Sequence, residues 1–279
     1  MHNISNRTIS RAQRQSQLPL LEQHMLWSQV LGVDRAWLIA HDTDILSKSA
    51  WEQYKALEKQ RLQGVPMAYI IGWREFMGRR FQVNPDVLIP RPETEILVEY
   101  VLEAVLPRYK KPRVLDLGTG SGAIALSLAL NSPQSEVIAT DICTQALAVA
   151  QKNAACLGVE KVHFLHSCWY DDLVTCGVFD VIVSNPPYIA ADDAHLRQPE
   201  LRAEPTKALT DGDNGLQDLT KIILQAPRFL KQGGSLWLEH GWNQAHHVRE
   251  LLLNTGFSEV RSIQDLSGID RISGGTIIF

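Results

Sequence analysis

The residues at positions 114–122 are Val-Leu-Asp-Leu-Gly-Thr-Gly-Ser-Gly, and this stretch decides the fold class. A short apolar strand over residues 113–117 leads into glycines at alternate positions, and an apolar helix is predicted to follow over residues 123–131. Glycine allows a sharp turn of the backbone and lets a ligand approach where a Cβ atom would obstruct it. The stretch therefore predicts a strand, a ligand-binding loop and a helix in succession.

The same alternation of strand and helix continues to the end of the chain. Further strands are predicted at residues 136–140, 162–165, 179–184, 235–239, 260–264 and 276–279, with helices at 144–157, 216–230 and 244–254. Parallel strands need helical crossovers, whereas short final strands can form an antiparallel hairpin. We predict an α/β, Rossmann-like domain with a mostly parallel seven-stranded sheet, an antiparallel edge, and ligands at the carboxyl ends of the strands.

The first part of the chain lacks this alternation. Leu20, Leu26 and Leu31 belong to an apolar series at helical spacing, which Gly32 ends. We predict a small helical domain over residues 1–65. Apolar segments punctuated by glycine then predict a β-hairpin linker over residues 66–91, with short strands at 69–72, 75–78 and 81–83. A helix that begins at Pro92 opens the third domain, residues 92–279.

The glycine loop by itself leaves two cofactors open. Gly118, Gly120 and Ala123 satisfy the dinucleotide fingerprint, and Asp141 ends the next strand, where a carboxylate can accept from both hydroxyls of a ribose. Asp116 favours S-adenosylmethionine over NAD, because a carboxylate before the loop would repel a pyrophosphate and attract a methionine ammonium group. The alternative role for Asp116 is a cap at the end of its strand.

Asn185-Pro186-Pro187-Tyr188, at the end of the fourth predicted strand, is the strongest chemical signal. This tetrapeptide is typical of methyltransferases that act on a planar nitrogen, whose delocalised lone pair attacks poorly. The Asn185 oxygen and the Pro186 carbonyl can each accept one N–H of the substrate, and two prolines stiffen the loop. Tyr188 can cover the planar group. We therefore assign catalysis to Asn185, Pro186 and Tyr188, and expect no metal.

Upstream of this loop, the sequence resembles the HemK/PrmC family, the protein-glutamine N5-methyltransferases that modify peptide-chain release factors. The resemblance extends from about residue 20 to the end of the chain. It rests on one upstream block and one block after the catalytic loop: Pro66, Tyr69, Ile70, Gly72, Glu75, Phe76, Gly78, Phe81, Val83, residues 87–95, Glu204, Ala208, Leu209 and residues 212–216.

The resemblance implies a class I S-adenosylmethionine-dependent methyltransferase that modifies the glutamine of a release factor's Gly-Gly-Gln loop. It implies that the helical domain grips the release factor and that residues 89–92 lie near the active site. It implies substrate contacts from Asn185, Pro186, Pro187 and Tyr188. It also implies a set of cofactor contacts: Gly118, Thr119, Gly120, Ser121, Gly122, Asp141, Trp169 and Asn185. Trp169 suits an apolar wall for adenine, although an ordinary core tryptophan is the alternative. Cys168 departs from the family, which often has an aspartate there, and this puts a hydrogen bond to adenine in doubt.

Composition supports a protein partner over nucleic acid. Lys and Arg total 27 and Asp and Glu total 31, a net charge of −4, whereas proteins that grip duplex DNA usually carry a basic excess. A nucleic-acid adenine or guanine methyltransferase is nevertheless the first alternative. A non-catalytic adaptor and an NAD-dependent oxidoreductase are further alternatives, and the Asn-Pro-Pro-Tyr loop argues against both.

The remaining features indicate a cytoplasmic protein, and we expect a monomer. Four cysteines without CxxC spacing are typical of reduced thiols, and no apolar run is long enough for a membrane span. Residues 1–21 contain three arginines and no acidic residue, so an organellar transit peptide is the alternative to a polar, frayed N-terminus. His240, His246 and His247 are predicted to be surface or capping residues. We expect no membrane contact and no stable nucleic-acid binding.

Overall fold

The computed structural model describes residues 7–278. The chain divides into two compact units, Met1–Gly72 and Trp73–Phe279, here called the helical unit and the sheet unit. Within the part of the chain that the structure describes, no helix is both long and apolar enough to cross a lipid bilayer.

The helical unit is built around aromatic packing. The Trp27 and Tyr54 rings stack with their centroids 3.9 Å apart, and Ile9, Leu26 and Leu38 are fully buried with them. Its helices are α1 (Ile9–Gln15), α2 (Leu20–Leu31), α3 (Arg35–Ala40), α4 (Lys48–Leu62) and α5 (Met67–Ile71). The side chains of Thr8, Asp34 and Ser47 accept hydrogen bonds from the first turns of α1, α3 and α4, as N-caps do.

Two predictions for this part of the chain are wrong. The N-terminus is not frayed from residue 8 onward, because the Thr8 cap and the burial of Ile9 and Ala12 hold α1 in place. Residues 1–6 of that prediction lie outside the described residues. The strand predicted at residues 69–72 is the helix α5, which begins after Pro66 and ends at Gly72, where φ is +82°. These two helix boundary residues outweigh the strand preference of the Tyr-Ile-Ile stretch.

The sheet unit confirms the predicted α/β architecture. Its seven-stranded sheet has the order β5-β4-β3-β6-β7-β9-β8, in which β3 to β7 are parallel and β8 and β9 form an antiparallel edge. Its strands are β1 (Trp73–Phe76), β2 (Arg79–Gln82), β3 (Arg113–Leu117), β4 (Glu136–Asp141), β5 (Val162–His166), β6 (Phe179–Ser184), β7 (Leu230–Glu239), β8 (Phe257–Gln264) and β9 (Asp270–Ile277). Its longer helices are α6 (Pro92–Tyr100), α7 (Ala123–Asn131), α8 (Thr144–Leu157), α11 (Gln217–Gln225) and α12 (Ala245–Asn254), and the short α9 (Pro199–Arg202) and α10 (Thr206–Leu209) precede α11.

The strands β1 and β2 form the predicted hairpin, which belongs to the sheet unit. The Gln82 backbone N–H donates to Asn153 Oδ1 over 2.7 Å, and Asn153 Nδ2 donates both to the Gln82 carbonyl and to the Ser121 carbonyl. The hairpin is therefore joined through Asn153 on α8 to the glycine loop.

Several boundaries and one histidine in this unit differ from prediction, among them the end of β1 at Phe76 rather than 78 and the start of β8 at Phe257 rather than 260. The predicted helix 216–230 ends at Gln225, and β7 begins at Leu230 and continues through two glycines to the predicted segment. The strand β9 begins at Asp270, not 276, and therefore includes two glycines. Gly274 is required within the strand because it lies against Trp237, where a Cβ atom would come within 2.3 Å of the indole. Phe279, predicted within this strand, lies outside the described residues. His240 is fully buried, with Nε2 2.7 Å from Ser273 Oγ.

Candidate active site

The register of the sheet brings the two predicted loops together. Leu117 at the end of β3 pairs with Thr140 on one side and with Ser184 on the other. The glycine loop, Asp141 and the Asn-Pro-Pro-Tyr loop therefore leave the sheet at one level, where the strand order reverses. Ligands of open α/β sheets bind at this point.

The glycine loop depends on left-handed backbone. Gly118, Gly120 and Gly122 have φ angles of +71°, +55° and +82°. Gly122 has a second constraint, because a Cβ atom there would lie 2.9 Å from Leu126 Cδ1 and 3.2 Å from Ala150 Cβ. The loop therefore holds its shape through backbone geometry that residues with a Cβ atom rarely adopt.

A buried carboxylate, Asp116, accepts hydrogen bonds from this loop and from the helix that follows it. Asp116 Oδ2 accepts from the Thr119 hydroxyl over 2.7 Å and from the Ala125 N–H over 3.2 Å. Burial raises the pKa of Asp116 to about 7, against the opposing effect of these two donors. Its other oxygen, Oδ1, is buried with no hydrogen-bond partner among the described residues. Asp116 thus supports the loop, and its unpaired oxygen is an acceptor that fits a cationic donor.

Asp141 connects the end of β4 to the glycine loop. Its Oδ2 accepts from the Gly120 N–H over 2.9 Å, and its Oδ1 accepts from the Cys143 N–H over 2.8 Å. Burial raises the pKa of this carboxyl, although the backbone donors oppose the shift. The Ile142 N–H also lies close enough to lower the pKa of Asp141, so three of about four lone-pair sites of this carboxylate face backbone donors and one can still accept from a ribose hydroxyl.

Trp169 lies over the glycine loop. A Cβ atom at Gly118 would be 3.4 Å from Cζ3 of the indole, and the indole N–H donates to Asp218 Oδ1 over 3.3 Å. Trp169 itself has a φ of +50°, which is uncommon for a residue with a bulky side chain. The partly buried ring is placed as one wall above Gly118. Burial raises the pKa of the neighbouring Cys168 thiol, with Asp171 adding to the effect.

The Asn-Pro-Pro-Tyr loop is held by side chains from distant segments. Asn185 Nδ2 donates to Thr94 Oγ1 over 3.0 Å, and the Tyr188 hydroxyl donates to Glu239 Oε1 over 3.0 Å. The Tyr188 carbonyl accepts from Gln244 Nε2 over 3.0 Å. These contacts fix the loop at both ends and turn the Asn185 amide so that its NH₂ group faces Thr94.

A pocket of about 80 Å³ opens beside this loop. Its lining residues are Leu88, Arg91, Asn185, Pro186, Tyr188, Ile189, Leu201, Ala208 and Leu209. The Arg91 guanidinium is held by Glu204, which also accepts from the Ile89 N–H over 3.0 Å. Arg91 therefore lies beside the Asn-Pro-Pro-Tyr loop, and the nearness of residues 89–92 to an active site, which the family resemblance implied, stays a prediction. The roles of Thr94, Glu239 and Gln244 were missed, because each depends on a contact between segments far apart in the sequence.

The groups around the glycine loop fit S-adenosylmethionine. Asp116 and Asp141 are two carboxylates at a loop where NAD would place its pyrophosphate, so their charges disfavour that cofactor. Acceptors for an ammonium group and for a ribose hydroxyl, together with an aromatic wall, match the sulfonium cofactor. The fold and this site define an S-adenosylmethionine-dependent methyltransferase of class I.

Comparisons with known proteins agree and specify the family. Residues 93–214 match the Methyltransferase small domain, and residues 7–72 match the PrmC N-terminal domain. Release factor glutamine methyltransferase from Bordetella pertussis is 54% identical, with 92% of this chain and 95% of the relative covered. The protein of the same name from Escherichia coli is 41% identical, with 93% of each covered. The chain belongs to the release factor glutamine methyltransferase family, which excludes the NAD-dependent oxidoreductase.

Solved structures support the fold alone. The 16S rRNA N2 G1207 methyltransferase of T. thermophilus, in complex with AdoMet and guanosine, is 21% identical with a TM-score of 0.55, covering 74% of this chain and 49% of that one. A methyltransferase from Pyrococcus furiosus is 19% identical with a TM-score of 0.53, covering 82% and 98%.

Proposed function

We propose that this enzyme methylates the side-chain N5 of the glutamine in the Gly-Gly-Gln loop of class 1 peptide-chain release factors. The observation that carries the proposal is the pocket beside Asn185, whose amide is turned by Thr94 so that Oδ1 is available to a substrate N–H. The names of the relatives, which are release factor glutamine methyltransferases, support the same substrate.

The pocket residues promote methyl transfer by positioning the substrate amide. When bound, S-adenosylmethionine supplies an electrophilic methyl group on a positively charged sulfur. Asn185 Oδ1 accepts one N–H of the substrate amide and the Pro186 carbonyl accepts the other, so that the nitrogen faces the glycine loop. Tyr188 covers the planar amide and excludes water. Such positioning supplies most of the rate enhancement when the leaving group is already good.

The proposal extends to the residues that hold the cofactor. Gly118 to Gly122 form the cradle, Asp141 accepts from a ribose hydroxyl, and Trp169 forms the wall for adenine. The Asp116 oxygen that lacks a partner accepts from the methionine ammonium group, directly or through water. Asn185, which follows β6 beside the glycine loop and lines the pocket, would contact both the cofactor and the substrate.

The helical unit supplies remote binding energy for the release factor. Its match to the PrmC N-terminal domain supports this role, and Leu20, Leu21 and Leu62 present exposed apolar side chains for contact. A chain that begins at Arg74 should bind S-adenosylmethionine yet lose most activity on intact release factor. Wild-type kcat/KM from that shortened chain would contradict the role.

We also propose that the enzyme acts as a monomer in the cytoplasm, where release factors act, without stable nucleic-acid binding. The net charge of −4 supports the last point. Gel filtration of the full chain tests the oligomeric state.

One experiment tests the substrate. The enzyme is incubated with labelled S-adenosylmethionine and, separately, a release factor, the same factor with Gly-Gly-Glu in its loop, DNA and RNA. Mass spectrometry should place the methyl group on the loop glutamine alone, and the Gly-Gly-Glu factor should remain unlabelled. Label on a nucleobase would instead support the nucleic-acid methyltransferase.

A further inference from the structure

The strand register places a buried carboxylate directly behind the catalytic loop. Ser184 on β6 pairs with Leu238 on β7, so Asn185 and Glu239 each follow one member of the same pair. Glu239 is almost fully buried. Its neighbours come from three elements: Tyr188 from the loop, Thr94 and Glu93 from α6, and Arg271 from β9.

We propose that Glu239 is a positioning residue for methyl transfer, which sets the direction of the hydrogen bonds that hold Asn185 and Tyr188. This inference rests on the proposed function and deepens it. In this role, Glu239 contacts neither the substrate nor the cofactor. It acts through the two side chains that lie between it and the pocket.

The chemistry of the donors and acceptors sets the direction of these hydrogen bonds. An ionised carboxylate can only accept hydrogen bonds, so the Tyr188 hydroxyl must donate to Glu239 Oε1. The Thr94 hydroxyl lies close enough to the carboxyl to lower its pKa and has a single proton to direct there. Its oxygen lone pairs are then left to accept from Asn185 Nδ2, 3.0 Å away.

This direction decides which end of the Asn185 amide faces the substrate. An amide that gives its NH₂ group to Thr94 presents its oxygen on the opposite side, where the substrate N–H must be accepted. A glutamine at position 239 contains both a donor and an acceptor. It can therefore donate to Thr94, which would then donate to Asn185 Oδ1 and reverse the amide.

The burial of Glu239 indicates that the carboxylate is held at a cost. Glu239 Oε2 is buried without a hydrogen-bond partner among the described residues. Burial raises the pKa of Glu239 to about 7, Glu93 adds to the increase, and Arg271, Thr94 and Tyr188 oppose it. The acceptor-only form is therefore half-populated near pH 7 and becomes dominant as pH rises further.

The test compares Glu239→Gln with the wild-type enzyme in single-turnover transfer to a release factor at saturating cofactor. We expect a loss on the order of 10²-fold in rate, as for a misplaced reacting group, with S-adenosylmethionine affinity unchanged. The wild-type rate should rise with pH to a plateau above about 7, and the variant should lose this step. Asp180→Asn is the matched control, because Asp180 is a buried carboxylate at the opposite end of β6 and pairs with Lys231.

A second pair of variants keeps the test informative if Glu239→Gln folds poorly. Thr94→Val removes the hydroxyl that connects Glu239 to Asn185 and should slow transfer, whereas Thr94→Ser keeps that hydroxyl and should restore most of the rate. A wild-type rate and pH profile in Glu239→Gln, or equal rates for Thr94→Val and Thr94→Ser, would overturn the inference. Failure of the wild-type enzyme to methylate the factor would instead refute the proposed function.

Discussion

The two loops of the active site each lie above a buried carboxyl group, but they hold their shape in different ways. Asp116 lies under the glycine loop and Glu239 behind the Asn-Pro-Pro-Tyr loop. Burial raises the pKa of each to about 7, and each has one oxygen without a partner among the described residues. Asp116 contacts residues three and nine positions along the chain, whereas the contacts that hold Tyr188 and Asn185 join residues 51 and 91 positions apart.

This difference indicates which property each loop controls. The glycine loop is shaped by backbone angles, by contacts with its own strand and helix, and by Asp141 and Asn153 from the strand–helix unit that follows, so its changes should alter cofactor affinity. The Asn-Pro-Pro-Tyr loop is shaped by side chains from α6 and β7, so its changes should alter the rate of transfer once cofactor is bound. Asn185→Ala and Asp141→Ala test that separation directly, and the other variants test the contacts that hold each loop.

The largest effect is expected for Asn185→Ala. The substitution removes an acceptor that matters chiefly in the transition state, so the transfer rate should fall about 10²–10³-fold, by analogy with deleted oxyanion donors. Cofactor affinity measured by calorimetry should fall much less. An equal loss of rate and affinity would break the proposed separation of the two loops.

The pH dependence of stability tests the two buried carboxyls. A carboxyl whose pKa is raised in the folded state favours folding while it is protonated, and this contribution is lost as pH rises from its ordinary value to the raised one. The wild-type free energy of unfolding should therefore fall between about pH 4 and 7. Glu239→Gln and Asp116→Asn should each reduce that fall by roughly 3 kcal/mol. Urea unfolding at pH 5 and pH 8 measures it, and an unchanged difference in both variants would show that neither group titrates there.

Asp141→Ala should act on the cofactor loop alone. The variant loses the predicted acceptor for ribose and leaves the Gly120 and Cys143 N–H groups without their carboxylate, which should cost about 1–3 kcal/mol of S-adenosylmethionine affinity. The transfer rate at saturating cofactor should stay near that of the wild type. Unchanged affinity in calorimetry would remove Asp141 from the cofactor site.

The smallest effect is expected when two glycines of the same loop are replaced by alanine. Gly120→Ala and Gly122→Ala both place a Cβ atom on left-handed backbone, at a cost of about 1–2 kcal/mol of stability. Only the Gly122 variant also meets Leu126 and Ala150, whereas Gly120 has nothing within 4 Å. Thermal unfolding should therefore show the lower Tm for Gly122→Ala, and the reverse order would contradict the packing described for α7 and α8.

The parts of the site that were predicted from the sequence are those with local causes. The glycines, Asp141 and the Asn-Pro-Pro-Tyr loop each follow a strand of recognisable pattern, and Leu117, Thr140 and Ser184 then place them at one level of the sheet. Thr94 and Glu239 gave no such signal. A buried glutamate at a strand end resembles any other polar boundary residue until the register of β6 and β7 is known.

The errors in the fold have two origins, one local and one in the packing of distant segments. The segment 69–72 was predicted as a strand from its side chains, but Pro66 and Gly72 determine a short helix. The start of β9 was missed because glycine disfavours strands, while Gly274 is needed there so that the backbone can pass Trp237. Packing between distant segments decides both the missed strand and the missed site residues.

The most direct test of the catalytic loop is the single-turnover rate of Asn185→Asp beside Asn185→Ala, at saturating S-adenosylmethionine, with a release-factor fragment that contains the Gly-Gly-Gln loop. An aspartate keeps an oxygen that can accept the substrate N–H but lacks the NH₂ group that donates to Thr94. We predict that Asn185→Asp transfers methyl more slowly than the wild type and clearly faster than Asn185→Ala. A wild-type rate in Asn185→Ala would contradict the assignment of substrate positioning to this side chain.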